Sequence, residues 1–335
     1  MANTLLVLTL GLGLAAPGAA QSKKIVVTGL SPEAVRELQA SAPANVRLVP
    51  AAAGQLLQEA ADADAVLGTA TADVIRAGPR IRWMQTFSAG VERYRSPELL
   101  NSPIVLTNAK IIQGPNIADH AMAMLLSLTR DLHRIIPNRP NEEWTRGQHR
   151  AIELKGKTAV VVGVGGIGMQ IAQRARGFDM RVIGVDPKDI PYTPLLEKVV
   201  PPDRIDSVLP EADVLFVAAP HTPESERMIG ARQFELLKRG AYFIVVSRGK
   251  LYDTAALVKA LDGKHLAGAG LDVTDPEPLP KGHPLWKFEN VVITPHIAGQ
   301  SDRVQERRME LLKENIRRFA AGEPLLNVVD KQKGY

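Results

Sequence analysis

Short apolar runs closed by small or polar residues punctuate the chain, and many stretches between them carry helical spacing. The run at 24–29, Lys-Ile-Val-Val-Thr-Gly, has the pattern of a buried strand ending on a glycine. Ser31-Pro32-Glu33 follows as a helix start, with serine as the cap and proline in the first position. Further short strands are expected at 46–49, 65–68, 82–86 and 104–107, with a helix over 51–61. Such alternation implies a parallel sheet flanked by helices. A long apolar helix is expected at 116–132, after which Pro137, Pro140 and Gly147 mark a polar loop. A second, cleaner alternation places strands at 158–162, 180–185, 214–218, 241–246, 267–273 and 291–294, with helices such as 233–238 and 254–261 between them. A last helix, 301–321, lies beyond the final strand and is expected to return to the first domain.

The strand at 158–162 runs straight into Gly163-Val-Gly165-Gly166-Ile167-Gly168, and helical character resumes at Met169. A glycine loop between strand and helix is the context that dinucleotide binding requires. Gly163 allows the tight turn, Gly165 lets the backbone approach a pyrophosphate, and Gly168 permits close packing of helix on strand. Gly166 and Ile167 complete the cofactor-binding loop, and the helix that follows offers free N–H groups and a positive dipole end to phosphate. Asp186 ends the next strand, where an acid accepts the ribose 2′-hydroxyl and repels a 2′-phosphate. NAD is therefore expected over NADP, with Lys188 as the nearby cation that could reach a 2′-phosphate. A fingerprint this far along the chain leaves room upstream for a whole domain. The predicted fold is α/β, with two Rossmann-like doubly wound domains and parallel sheets. A cofactor domain, 111–299, is inserted into a discontinuous substrate domain, 23–110 and 300–335.

The composition fits this picture: 335 residues suit two domains, and 45% hydrophobic with 23% charged residues is an ordinary globular balance. The net charge of +5 does not point to nucleic acid, because basic residues are interleaved with acids, as in Arg303-Val-Gln-Glu306-Arg307-Arg308. There is no cysteine, which excludes disulfides, thiolate metal sites and a cysteine nucleophile. No metal site is expected, and a homodimer is the expected assembly. Residues 5–16 form an apolar run too short to span a bilayer, followed by Pro17-Gly18-Ala19-Ala20-Gln21. This pattern predicts a secretory signal over 1–22 and export to a periplasmic location, with no stable membrane anchor. The alternative is a cytoplasmic protein with an N-terminal extension.

Hydride transfer to a keto acid has three needs besides the cofactor. A cation must hold the carboxylate and polarise the carbonyl, which suits arginine. A group titrating near neutrality must exchange the hydroxyl proton, which suits histidine. An acid must orient that histidine and stabilise its charged form. Arg248, Glu277 and His296 each lie just beyond a predicted strand, at the end where α/β ligand sites gather. Trp144 and Trp286 read as packing residues, with a place at the border of the substrate pocket as the alternative, and His221, in a cofactor-side loop, is the one other histidine singled out.

Ser247-Arg248-Gly249, Gly270 to Pro280 with Asp272 and Glu277, His283-Pro-Leu-Trp286 and Thr294-Pro-His296-Ile-Ala-Gly299 together resemble the D-isomer-specific 2-hydroxyacid dehydrogenases. The resemblance extends over about 24–330. It implies an oxidoreductase interconverting (R)-2-hydroxy acids and 2-keto acids. Arg248 would bind the substrate carboxylate and carbonyl. His296 would be the acid in reduction and the base in oxidation, and Glu277 would hydrogen-bond it. Ser88-Ala89-Gly90-Val91 resembles the substrate loop, whose N–H groups hold the carboxylate. Pro220, Thr222 and Ser247 would lie along the cofactor, and Asp272 would line its nicotinamide end. The helix at 116–132 would link the domains. One departure stands out: where the family usually has asparagine three residues before the catalytic arginine, this chain has Val245. Two alternatives accompany this reading. A formate dehydrogenase-like activity is disfavoured because that group pairs its histidine with glutamine, where Glu277 stands here. A non-catalytic NAD-sensing protein is disfavoured by the intact Arg248, Glu277 and His296.

Overall fold

The computed structural model describes residues 22–335 except 143, 145–148 and 150, so the predicted signal segment, save Ser22, and Gly147 lie outside the described residues. The first sheet contains β1 (Lys23–Val27), β2 (Val46–Pro50), β3 (Ala65–Leu67), β4 (Trp83–Gln85) and β5 (Val105–Thr107), in the order β2-β1-β3-β4-β5. The second contains β6 (Thr158–Val162), β7 (Arg181–Val185), β8 (Lys198–Val200), β9 (Val214–Val217), β10 (Ala241–Val245), β11 (Leu266–Leu271) and β12 (Val291–Ile293). Its order is β12-β11-β10-β9-β6-β7-β8, and every named pairing in both sheets is parallel. The fold is thus two parallel-sheet, Rossmann-like α/β units.

The apolar runs have a simple cause. β6, β9 and β10 are buried at every position, as a parallel sheet covered on both faces demands. Alternate residues serve opposite faces. Val160, Val162, Leu215, Val217, Phe243 and Val245 pack into one cluster. Ala159, Val161, Val214, Phe216, Tyr242 and Ile244 pack into the other, beneath the helix Gly114–Thr129. Chain order reverses between β6 and β9, so a crevice forms outside their carboxyl ends, where ligands of open α/β sheets bind.

The last helix, Val304–Ala321, returns to the first sheet: its Leu312 and Ile316 share a core with Ile25, Val27, Leu67 and Trp83. The Lys23 ammonium donates to the Phe319 and Ala320 carbonyls at 2.6 and 2.8 Å, capping the end of that helix. The Trp83 and Phe319 rings lie 5.2 Å apart between centroids. Ser31 caps the helix Pro32–Ser41 as expected, its hydroxyl accepting from the Ala34 amide.

Some elements differ from expectation. The helix at 51–61 shrinks to Leu56–Ala60, because 53–55, with Gly54, form a turn closed by Gln55 N–H to Ala52 O at 2.9 Å. The helix expected at 116–132 runs Gly114–Thr129 and stops where Asp131 turns left-handed at φ 61°. β8 was not foreseen; it is a short, partly exposed edge strand without an apolar run. Trp144 and Trp286 are not packing residues, being 88% and 52% exposed.

Candidate active site

The glycine loop turns on Gly163, whose φ of +85° favours glycine and whose missing Cβ would lie 2.5 Å from the Ala219 backbone. A Cβ on Gly168 would collide with the Gly163 carbonyl, so that glycine sets how closely helix approaches strand. A Cβ on Gly165 would meet nothing. That asymmetry fits a dinucleotide: two glycines serve the fold, while the third keeps open space at the start of the helix Gly166–Gly177. The first amides of that helix, at Gly166, Ile167 and Gly168, precede its first intrahelical bond and are available as donors to a phosphate.

Asp186 stands at the end of β7. Its Oδ2 accepts from the Val164 amide at 2.8 Å and its Oδ1 from the Lys188 amide at 2.9 Å. An ionised carboxylate has about four acceptor sites, so room remains for ribose hydroxyls. The Lys188 ammonium lies 4.8 Å from the centre of the Tyr335 ring. Pro220 and Thr222 follow β9, the neighbour of β6; the Thr222 amide donates to Ser225 Oγ at 2.8 Å, which shapes that loop. His221 is 3.4 Å from Glu226 in the same loop.

Arg248 and Glu277 follow β10 and β11, and His296 follows β12, all on the sheet that carries the glycine loop. Ser247 Oγ donates to Val217 O at 3.2 Å, and Gly249 passes so close to the Thr274 backbone that a Cβ there would collide with it. These two contacts fix the loop that presents Arg248. Val245 is fully buried in the apolar core, so this loop is held by packing and by Ser247 rather than by an asparagine. The His296 Nδ1 and Glu277 Oε2 are 2.9 Å apart. A carboxylate only accepts, so Nδ1 carries the hydrogen and Nε2 is left for chemistry. Glu277 is itself fixed, its Oε1 accepting from the Thr274 amide at 3.0 Å. The Tyr252 hydroxyl donates to Val273 O at 3.1 Å beneath this loop. Burial, with the negative charges of Glu277 and Asp275 adding to it, pushes the Tyr252 phenol well above its ordinary range, so it stays protonated and a donor.

The chain matches the family described as D-isomer specific 2-hydroxyacid dehydrogenase, NAD binding domain, over residues 122–298. It is 33% identical to a glyoxylate reductase of Thermofilum pendens, over 84% of this chain and 86% of that one. The chain belongs to the D-isomer specific 2-hydroxyacid dehydrogenase family. It is also 32% identical to a D-3-phosphoglycerate dehydrogenase of Methanocaldococcus jannaschii, over 82% of this chain but 53% of that one. A D-isomer specific 2-hydroxyacid dehydrogenase from Xanthobacter autotrophicus, solved in complex with NADPH and MES, superposes with a TM-score of 0.79 at 26% identity, covering 95% of this chain and 100% of that one. Membership brings NAD(P)-dependent oxidoreduction of small 2-hydroxy or 2-keto acids.

Asp272 follows β11 directly. Its carboxylate is buried beneath the His296 loop. Oδ1 accepts from Thr294 Oγ1 at 2.7 Å and the Ile297 amide at 2.9 Å, and Oδ2 from the Ala298 amide at 3.0 Å. Asp272 thus holds the loop of His296, whose φ of 54° is a conformation that side chains rarely adopt. Residues not foreseen support the same loop. Asn116 donates to Ala298 O at 2.8 Å, and His120 Nε2 lies 2.8 Å from Thr294 Oγ1.

The predicted substrate loop comes from the other sheet. Its carbonyls are pinned: Ser88 O accepts from the Ala109 amide at 3.0 Å, Ala89 O from Asn108 Nδ2 at 2.6 Å and Gly90 O from Ser88 Oγ at 2.7 Å. Among the described residues nothing accepts from the Gly90 or Val91 amides. Arg248 reaches this loop, since a Cβ on Gly90 would collide with its guanidinium. The predicted carboxylate loop and carboxylate cation therefore meet across the two sheets.

Proposed function

We propose that the protein reduces small 2-keto acids to (R)-2-hydroxy acids, and catalyses the reverse reaction, with NAD(H) as its dinucleotide. The carrying observation is the His296–Glu277 pair at 2.9 Å, on the same sheet as Arg248 and the glycine loop. Arg248 and the free amides of Gly90 and Val91 hold the substrate carboxylate, and Arg248 also polarises the carbonyl. The dinucleotide, when bound, supplies the hydride that the carbonyl carbon receives. His296 gives its Nε2 proton to the carbonyl oxygen, while Glu277 keeps the ring in place through Nδ1. In oxidation the same nitrogen takes the hydroxyl proton back. An assay of NADH consumption with glyoxylate, hydroxypyruvate, pyruvate and phenylpyruvate tests this reading. Turnover of at least one is expected; tight NADH binding without any turnover would leave a nucleotide-binding protein instead.

The preference for NAD rests on the Asp186 carboxylate at the ribose position. Because Asp186 also holds the Val164 amide, its charge is better removed than its side chain. Asp186→Asn is expected to raise the ratio of NADPH to NADH use roughly tenfold or more, since like charges brought together cost several kcal/mol. An unmoved ratio in paired kcat/KM measurements would strip Asp186 of this role.

The homodimer is proposed on a separate observation. Leu132, Ile135, Ile136 and Trp144 are exposed along one segment between the helix Gly114–Thr129 and β6. Large apolar side chains concentrated in this way mark an interaction surface. Sedimentation equilibrium is expected to give the mass of two chains, and Ile136→Glu to shift it toward one.

A further inference from the structure

We propose that Glu92 is a selectivity residue of the substrate site, admitting small keto acids with uncharged substituents and turning away those with a second negative charge. This rests on the reading of Arg248 and the loop at Gly90 as the carboxylate site. Glu92 follows that loop directly, and its Oε1 lies 3.2 Å from Arg248 Nε. A Cβ on Gly90 would collide with both the Arg248 guanidinium and the Glu92 carboxylate. The protein thus places a carboxylate of its own beside the group that must receive the substrate's carboxylate.

The charge balance then decides what can bind. A monocarboxylate keto acid displaces Glu92 from Arg248 and leaves two negative charges sharing one guanidinium. The displaced group cannot go far, because only Val91 separates it from Gly90, and Val91 is buried. A dicarboxylic or phosphorylated keto acid brings a further negative charge into the same space, where repulsion grows as the separation falls. A hydroxyl on the next carbon instead finds in Glu92 an acceptor. Glyoxylate- and hydroxypyruvate-like acids are therefore the favoured class, and dicarboxylic or phosphorylated ones the disfavoured class.

Calorimetric titration of the NADH-loaded protein with oxamate, a monoanion, and tartronate, a dianion of similar size, reads this without turnover. The unaltered protein is expected to prefer oxamate at least about tenfold. Glu92→Gln is expected to reduce the preference to within about threefold, mainly by tightening tartronate. Glu92→Asp, which keeps the charge, should retain most of it. An unchanged preference in Glu92→Gln overturns the assignment, as does failure of the unaltered protein to bind either anion. Turnover of keto acids by the same samples separates the two readings. If keto acids are reduced while the preference survives Glu92→Gln, the selectivity role fails and the dehydrogenase reading stands. If the preference collapses in a protein that reduces nothing, the reverse holds.

Discussion

Replacing His296 by alanine is expected to lower turnover roughly 10²- to 10⁴-fold, the usual contribution of a placed general acid or base. Binding of NADH should stay nearly the same. The reason is spatial: the glycine loop and Asp186 lie at β6 and β7, whereas His296 follows β12 at the far edge of the same sheet. The fold should tolerate the change. The His296 side chain is about half exposed, and its loop is held by Asp272 through the Ile297 and Ala298 amides rather than by the ring. The loss should appear in kcat and kcat/KM together, as for an interaction made only in the transition state. Stopped-flow and steady-state NADH oxidation check it, and unchanged turnover would remove His296 from the mechanism.

Arg248→Ala is expected to reduce kcat/KM by about 10²- to 10³-fold, the scale of losing one placed electrostatic donor. Here KM should rise as well, because Arg248 is assigned both the carboxylate of the ground state and the carbonyl of the transition state. Arg248→Lys separates charge from shape. It keeps a cation opposite Glu92 but loses the planar fork, so it should recover only part of the loss. Equal activity of the lysine variant and the unaltered protein would mean that bidentate geometry plays no part.

Much of the second sheet was legible because its strands are buried on both faces and read as unbroken apolar runs, Val160 to Val162 and Phe243 to Val245 among them. β8 was not, since a partly exposed edge strand needs no such run. The glycine loop could be read because its three glycines answer local needs: a positive φ at Gly163, a close approach at Gly168 and open space at Gly165. Arg248, Glu277 and His296 were legible by type and by position after strands. Asp272 could be read only as an acid beyond a strand end, because its bonds to the Ile297 and Ala298 amides exist only in the folded loop. Glu92 escaped notice for a related reason. It reads as an ordinary surface acid until the two sheets bring it to 3.2 Å from Arg248.

The central claim is that one set of residues, Arg248 with the Gly90 loop, His296 and Glu277, fixes a 2-keto acid in one orientation for reduction. The configuration of the product tests it most directly. Pyruvate or hydroxypyruvate is reduced with NADH by the purified protein, and the hydroxy acid is resolved on a chiral column. The account predicts the (R) product alone. The (S) product, a mixture of the two, or no hydroxy acid at all would contradict it.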